Sequence, residues 1–227
     1  MVSAVLGDAL QVYRRLWRRS VVVAGAVFVV IALADALATR SSSFGTTFVS
    51  LVLALVGGLL VQGALVEVVR DVHDGRPPEA LRVYFDRTRG RLGTLLGASL
   101  LYGVVVVIGF LLLVVPGLIA VARFSLIVPL VMIEGRGVRD AFARSSELVK
   151  GRTGSVLLVV LVANVIASIA GAVVTLAFGF LPQFGAVWVG GTLAGAIAVP
   201  YEAYVLTVLY YRLTEPDRPV LPAEAPA

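Results

Sequence analysis

Three polar residues stand at matching depths inside long apolar runs of this sequence. Gln62, Arg123 and Glu202 lie eight, ten and nine residues before the ends of their runs, at about 70, 133 and 211. A charge near the middle of a membrane span costs roughly 2.5 to 3.5 kcal/mol on insertion scales, so such residues turn toward protein or trapped water. Matching depth therefore predicts an ion pair between Arg123 and Glu202. A guanidinium has more donors than one carboxylate accepts, so Gln62, with Asn164 and Tyr102 of neighbouring runs, is expected to complete the cluster. Such a cluster is either a polar clamp that orders helices or a site for a substrate or lipid headgroup.

Other chemistry-bearing residues carry less. The single histidine, His73, sits between Asp71 and Asp74, but one imidazole with two loop carboxylates reads as a solvated turn, and no metal is expected. The chain has no cysteine, so disulfides, thiolate nucleophiles and Cys-based metal sites are excluded, and the redox compartment is left open. No phosphate-binding glycine loop, His-Glu-x-x-His or Gly-x-Ser-x-Gly pattern occurs. Ser41 to Ser43 and Ser145-Ser146 read as loop or cap residues. Asp35, Glu67 and Glu202 fall on different spans without a metal or nucleophile beside them. The expectation is a protein that is not an enzyme and needs no cofactor, with an intramembrane enzyme as a remote alternative.

The elements that position these residues follow from composition. Of 227 residues, 59% are hydrophobic and 15% charged, and the mean hydropathy is +0.98, far from a soluble balance. The fold class expected is all-α, a polytopic membrane protein with six transmembrane helices and no cleaved signal peptide. The spans run about 21–38, 48–69, 92–115, 118–133, 154–181 and 186–211. The fourth begins after Pro116-Gly117, read as a turn; its 16 apolar-dominated residues reach about 24 Å, short for a hydrocarbon core of about 30 Å. A short or partly irregular span is predicted there. Gly57-Gly58 and Gly63 in the second span are expected to admit a neighbouring helix closely.

Three amphipathic helices precede the hairpins. Residues 3–19 put Val5, Leu6, Ala9, Leu10, Tyr13, Leu16 and Trp17 on one face, a helix after Pro77-Pro78 carries Leu81, Tyr84, Phe85 and Thr88, and 137–152 carries Val138, Ala141, Phe142, Ser145, Leu148 and Val149. Aligned from Asp8, Glu79 and Asp140, the three share an acid, an alanine, a large apolar residue and a basic end. This suggests three repeat units, about 3–69, 78–133 and 137–211, in a pseudo-threefold arrangement. Residues 213–227, rich in Pro, Glu and Ala, are expected to be a disordered tail. Of 19 basic residues, 17 flank the spans on one side, leaving Arg40 opposite and Arg123 within. The positive-inside tendency puts both termini in the cytoplasm and the loops at 39–46, 116–117 and 181–185 outside.

The residues PGLIAVARFSLIVPLVMIE from Pro116 and DAFARSSELVKGR from Asp140 resemble the bacterial glycerophosphoryl diester phosphodiesterase membrane-domain family and its six-helix relatives. The positions that carry the resemblance are Pro116, Gly117, Arg123, Pro129, Glu134, Ala141, Ser145, Leu148, Lys150 and Gly151. It implies a helical membrane domain of a bacterial cytoplasmic membrane, connected with lipids or glycerophosphodiesters. No stretch is long enough for the catalytic domain, so the hydrolase activity is not implied.

The functional expectation is a non-enzymatic protein that binds or translocates a lipid or small amphiphile at a polar intramembrane site around Arg123. The alternative is a structural or assembly protein whose basic interfacial helices dock partner proteins, or a homo-oligomer. Anionic lipids are the expected surface partners, along Arg14, Arg15, Arg18, Arg19, Arg82, Arg87, Arg139, Arg144 and Lys150. The net charge of +5 lies on segments where topology explains it, so no nucleic-acid partner is inferred.

Overall fold

The computed structural model describes residues 1–41, 43–77 and 79–220. Helices account for nearly all of it: α1 (Val2–Ser41), α2 (Phe44–His73), α3 (Leu81–Gly90), α4 (Leu92–Leu112), α5 (Val114–Arg123), α6 (Ile127–Ile133), α7 (Val138–Val149), α8 (Thr153–Ala177), a short α9 (Gln183–Gly185), a π-helical turn (Ala186–Gly190) and α10 (Gly191–Thr214). Six segments are long and apolar enough to cross a bilayer. Exposed apolar rows run along them, including Phe44, Phe48 and Leu51 of α2, Leu100, Val104 and Leu111 of α4, and Val165, Ile169 and Val173 of α8. Such continuous apolar surface suits lipid, not water. This is an all-α, multi-pass membrane protein.

The first amphipathic helix is not a separate element. It continues without a break into the first span, giving a helix of 40 residues, about 60 Å at 1.5 Å per residue and twice the hydrocarbon thickness. No glycine, proline or cap interrupts the junction. Ser20, which falls there, donates its hydroxyl to the Leu16 carbonyl (2.7 Å) and meets the Tyr204 hydroxyl at 2.5 Å, so the helix absorbs it. Val5, Ala9 and Val12 are fully buried, while Arg14, Arg15, Arg18 and Arg19 are exposed.

Two long helices pack against α1 in antiparallel fashion. Along α10 the contacts run from Asp8 with Arg212 (2.9 Å), through Gly25 against Ala196, to Ala32 against Gly191, and the line continues to Arg40 over the Phe184 ring of α9. Along α2, Asp35 accepts from Ser50, and a Cβ on Gly57 would press on Val27 and Ile31. Gly63 in turn lies against Thr88 of α3, whereas Gly58 touches nothing. Two of the three glycines singled out for close helix approach thus serve it. Helix α8 joins this core through Gly171 against Ala194 and Thr175 against Gly190.

The remaining hairpin, α4–α5, is built differently. The turn expected at Pro116-Gly117 lies instead at Leu113, whose extended backbone (φ −170°, ψ 158°) separates the two helices. Pro116 stands third in α5, where the missing N–H had no intrahelical acceptor to lose. Gly117 belongs to the packing: a Cβ there would strike the Phe110 ring, and a Cβ on Gly109 would come within 2.9 Å of the Gly117 Cα.

The three proposed units therefore differ in construction. The first has its amphipathic helix fused to its span, the second has a broken second span (α5 and α6), and the third begins its second span with a π-helical turn. The tail differs from expectation as well. Leu213 and Thr214 complete α10, and residues 215–220 fold back until Val220 is buried. The Val220 carbonyl lies 3.1 Å from His73 Nδ1, Glu215 lies 3.4 Å from His73 Nε2, and Arg218 donates to the His73 carbonyl (3.1 Å). Tail composition alone missed these partners, which the end of α2 supplies. Residues 221–227 of the expected tail lie outside the described residues.

Candidate functional site

The break between α5 and α6 has a local cause. Pro129 has no N–H for the Ser125 carbonyl, and in a continuous helix its ring would collide with that carbonyl. The backbone leaves the helix at Phe124 (φ −112°, ψ 13°) and re-enters after Leu126 (φ −92°, ψ 10°). The polar groups freed are partly re-satisfied: Ser145 of α7, fully buried, donates to the Arg123 carbonyl at 2.6 Å, and Ser125 donates to Ala122 at 3.0 Å. At the far end of α6, Arg91 Nη1 donates to the carbonyls of Val131 (2.5 Å) and Met132 (2.7 Å), capping its last turn.

Against this break lies a cavity of about 180 Å³. Its polar lining comes from five elements: Gln62 of α2, Ser99 and Tyr102 of α4, Ser125 of the break, Asn164 of α8 and Glu202 of α10, with Phe124, Ile127, Val128, Val160 and Leu206 among its apolar walls. The spacing within each helix explains the convergence. Ser99 and Tyr102 are three apart, Val160 and Asn164 four apart, and Glu202 and Leu206 four apart, so each pair shares a helical face. The volume exceeds a water's share of liquid, about 30 Å³, several times over.

Four of the five residues expected to cluster do so, namely Gln62, Tyr102, Asn164 and Glu202. The fifth does not. Arg123 is exposed, is absent from the cavity lining and forms no ion pair among the described residues. The expected Arg123–Glu202 pair is therefore replaced by an arrangement in which only the backbone carbonyl of Arg123 is used internally. Depth along the chain was matched, but facing was not, because the break shifts the helical phase just after Arg123 and turns Phe124, Ser125, Ile127 and Val128 inward instead. Ser99 and Ser125 complete the lining and were not singled out beforehand. Their signal in sequence is modest: Ser99 lies one turn from Tyr102, and Ser125 lies four residues before a proline.

The cavity's polar groups are largely unpaired within the protein. Asn164 donates to the Val160 carbonyl (3.0 Å) and Ser125 to Ala122. Among the described residues, the side chains of Gln62, Ser99, Tyr102 and Glu202 have no hydrogen-bond partner, and Glu202 has no cation within ion-pair reach. These four side chains are half-buried and their polar atoms stay open to the cavity, so the lining can take a polar guest.

A second polar region, at the end of α2, is built in the opposite way. Glu67 and Asp71 are almost fully buried (3% and 1% exposed), where the sequence suggested a span exit and a loop. Arg87 of α3 reaches Glu67 (3.5 Å), Asp71 (3.7 Å) and Glu79 (2.8 Å), Arg70 reaches Glu67 (3.4 Å), and Arg76 reaches Asp71 (3.3 Å). Beside it Glu134 is held by Arg136 (2.7 Å), Arg144 (3.7 Å) and the Tyr210 hydroxyl (3.1 Å). The hydrogen bond to Glu147, aided by the charge of Glu134 and opposed by burial, raises the Arg144 pKa above its ordinary value. His73 does not face Asp74; it stacks on Tyr211 at 3.8 Å and takes the tail contacts described above.

These pairings divide the basic surface. Arg82, Arg87 and Arg144 are engaged with Asp86, with Glu67, Asp71 and Glu79, and with Glu134 and Glu147, respectively. Arg14, Arg15, Arg18, Arg19, Arg139 and Lys150 are exposed and, among the described residues, form no ion pairs. Arg18 lies over the exposed Trp17 ring at 5.9 Å. In comparisons with known proteins, no family model, no curated protein and no solved structure matched this chain.

Proposed function

We propose that this protein binds, and by binding carries or presents, a lipid or small amphiphile whose polar head occupies the cavity at Glu202. The observation that carries this reading is the convergence of Gln62, Ser99, Tyr102 and Glu202, unpaired, on one cavity inside an apolar bundle. A purely structural clamp would satisfy these groups against each other, as happens at the end of α2. Apolar walls beside the polar groups suit a molecule with a head and a chain. The resemblance of residues 116–152 to phosphodiesterase membrane domains points toward lipids as well.

The setting proposed is a bacterial cytoplasmic membrane with both termini inside, from the distribution of arginines. The unpaired residues Arg14, Arg15, Arg18, Arg19, Arg139 and Lys150 then attract anionic lipid heads at the inner surface. This separates two lipid-related surfaces, an exterior basic ring and an interior cavity without a basic residue.

Native mass spectrometry of protein released from its membrane with bound lipids tests the proposal. The expected result is an adduct lost in Glu202→Leu but retained when Arg14, Arg15, Arg18 and Arg19 are changed to Gln. Adducts identical in both variants and wild type would place all lipid retention elsewhere and sink the cavity reading. Orientation is tested by single cysteines in this cysteine-free chain, since labelling of Phe85→Cys from outside intact cells would reverse it.

A further inference from the structure

We infer that the head admitted to the Glu202 cavity is cationic, an ammonium group carried on an apolar chain. The inference rests on the cavity being a ligand site and names the ligand's class. Among the residues lining it there is one carboxylate (Glu202), two amides (Gln62, Asn164) and three hydroxyls (Ser99, Tyr102, Ser125), and no arginine, lysine or histidine. A phosphate or carboxylate head would meet Glu202 with no cation to offset it. An ammonium would supply the counter-charge that Glu202 lacks and donate to the amide and hydroxyl oxygens around it.

The backbone adds to the same sign. The ten-residue helix α5 ends at Arg123, and its C-terminal, partially negative end adjoins the lining residues Phe124 and Ser125. Helix α6 begins beside it but is only seven residues long, and Pro129 in its first turn removes one of the N–H groups that would have favoured an anion. Pro129 also leaves the carbonyl of the lining residue Ser125 without its helical donor. Half-helix ends of this kind within membranes hold cations through their carbonyls. Tyr102 and Phe124 bring two aromatic rings to the lining, a residue type that attracts cations.

Size sets the limit. About 180 Å³ accommodates a small ammonium head and its first few carbons, and Ile127, Val128, Val160 and Leu206 of the same lining give those carbons apolar contact. Anionic heads are left to the exterior arginines, so the two surfaces sort lipids by charge.

Equilibrium binding of radiolabelled decylammonium, decanoate and decanol to the full chain in a mild non-ionic detergent tests this. Decylammonium is expected to bind saturably and at least tenfold more tightly than decanoate, and Glu202→Gln is expected to weaken it at least tenfold while decanol changes less than twofold. Glu202→Asp, which keeps the charge, is expected to retain most of the binding and guards against a folding defect in Glu202→Gln. Decanoate binding as tightly as decylammonium would overturn the ammonium assignment and leave the cavity as a ligand site. Saturable binding of none of the three would overturn both readings. Decylammonium binding that is insensitive to both Glu202 variants would also overturn the assignment.

Discussion

Two clusters of acids in this molecule have opposite surroundings. At the end of α2, Glu67 and Asp71 are nearly inaccessible, and three arginines reach them. In the cavity, Glu202 is half-buried, faces neutral polar groups and has no cation among the described residues. The same chemistry thus gives a fastening in one place and an opening in the other. A buried carboxylate with its arginines fixes how α3 lies on α2; a carboxylate without one leaves binding capacity in a bundle otherwise apolar. Removing charge should therefore damage the first region through stability and the second through binding.

The largest effect is expected at the first region. Arg87→Met strips Glu67, Asp71 and Glu79 of their shared partner, and losses from breaking buried pairs run to about 3 kcal/mol or more; a lower unfolding temperature in detergent is the readout, and an unchanged one would show that Arg70 and Arg76 suffice. Next comes Ser145→Ala, which leaves the Arg123 carbonyl at the helix break without its donor and should cost about 1 to 3 kcal/mol, measured in the same way. Gly63→Ala drives a methyl into Thr88 and should cost about 1 to 3 kcal/mol through overpacking of α3 on α2; a silent substitution would mean that α3 shifts freely. Smallest is the effect of Glu202→Gln on stability, expected within about 1 kcal/mol of wild type because no ion pair is broken. A large loss there would make Glu202 a fastening like Glu67.

Much of this contrast was legible in the sequence, though not all. The six spans follow from apolar run length, and the short, irregular fourth span follows from its 16 residues. Matching depth pointed to Gln62 and Glu202, which do line one cavity, because helices that cross one bilayer bring equal depths together; Tyr102 and Asn164 line it too, though they were expected as partners of Arg123, which is absent from it. It failed at Arg123 because depth says nothing about facing, and the helical phase is lost where Pro129 ends a hydrogen-bond ladder. Burial of Glu67 and Asp71 was hidden for a different reason. It depends on α3 folding back across the end of α2, a tertiary event that brings in Arg87 from 16 to 20 positions later in the chain. The ordered turn through Val220 was likewise invisible to composition, since its partner, His73, lies on another helix.

Cysteine accessibility inside the cavity tests the central claim most directly, because the native chain has no cysteine. Ser99→Cys places a thiol on the cavity lining, and Ala98→Cys places one at a fully buried neighbour. A small membrane-permeant thiol reagent is expected to label position 99 much faster than position 98, and saturating decylammonium is expected to slow labelling at 99 alone. Equal, slow labelling at both positions would contradict the account, as would rapid labelling at 99 that no amphiphile, whether cationic, neutral or anionic, slows.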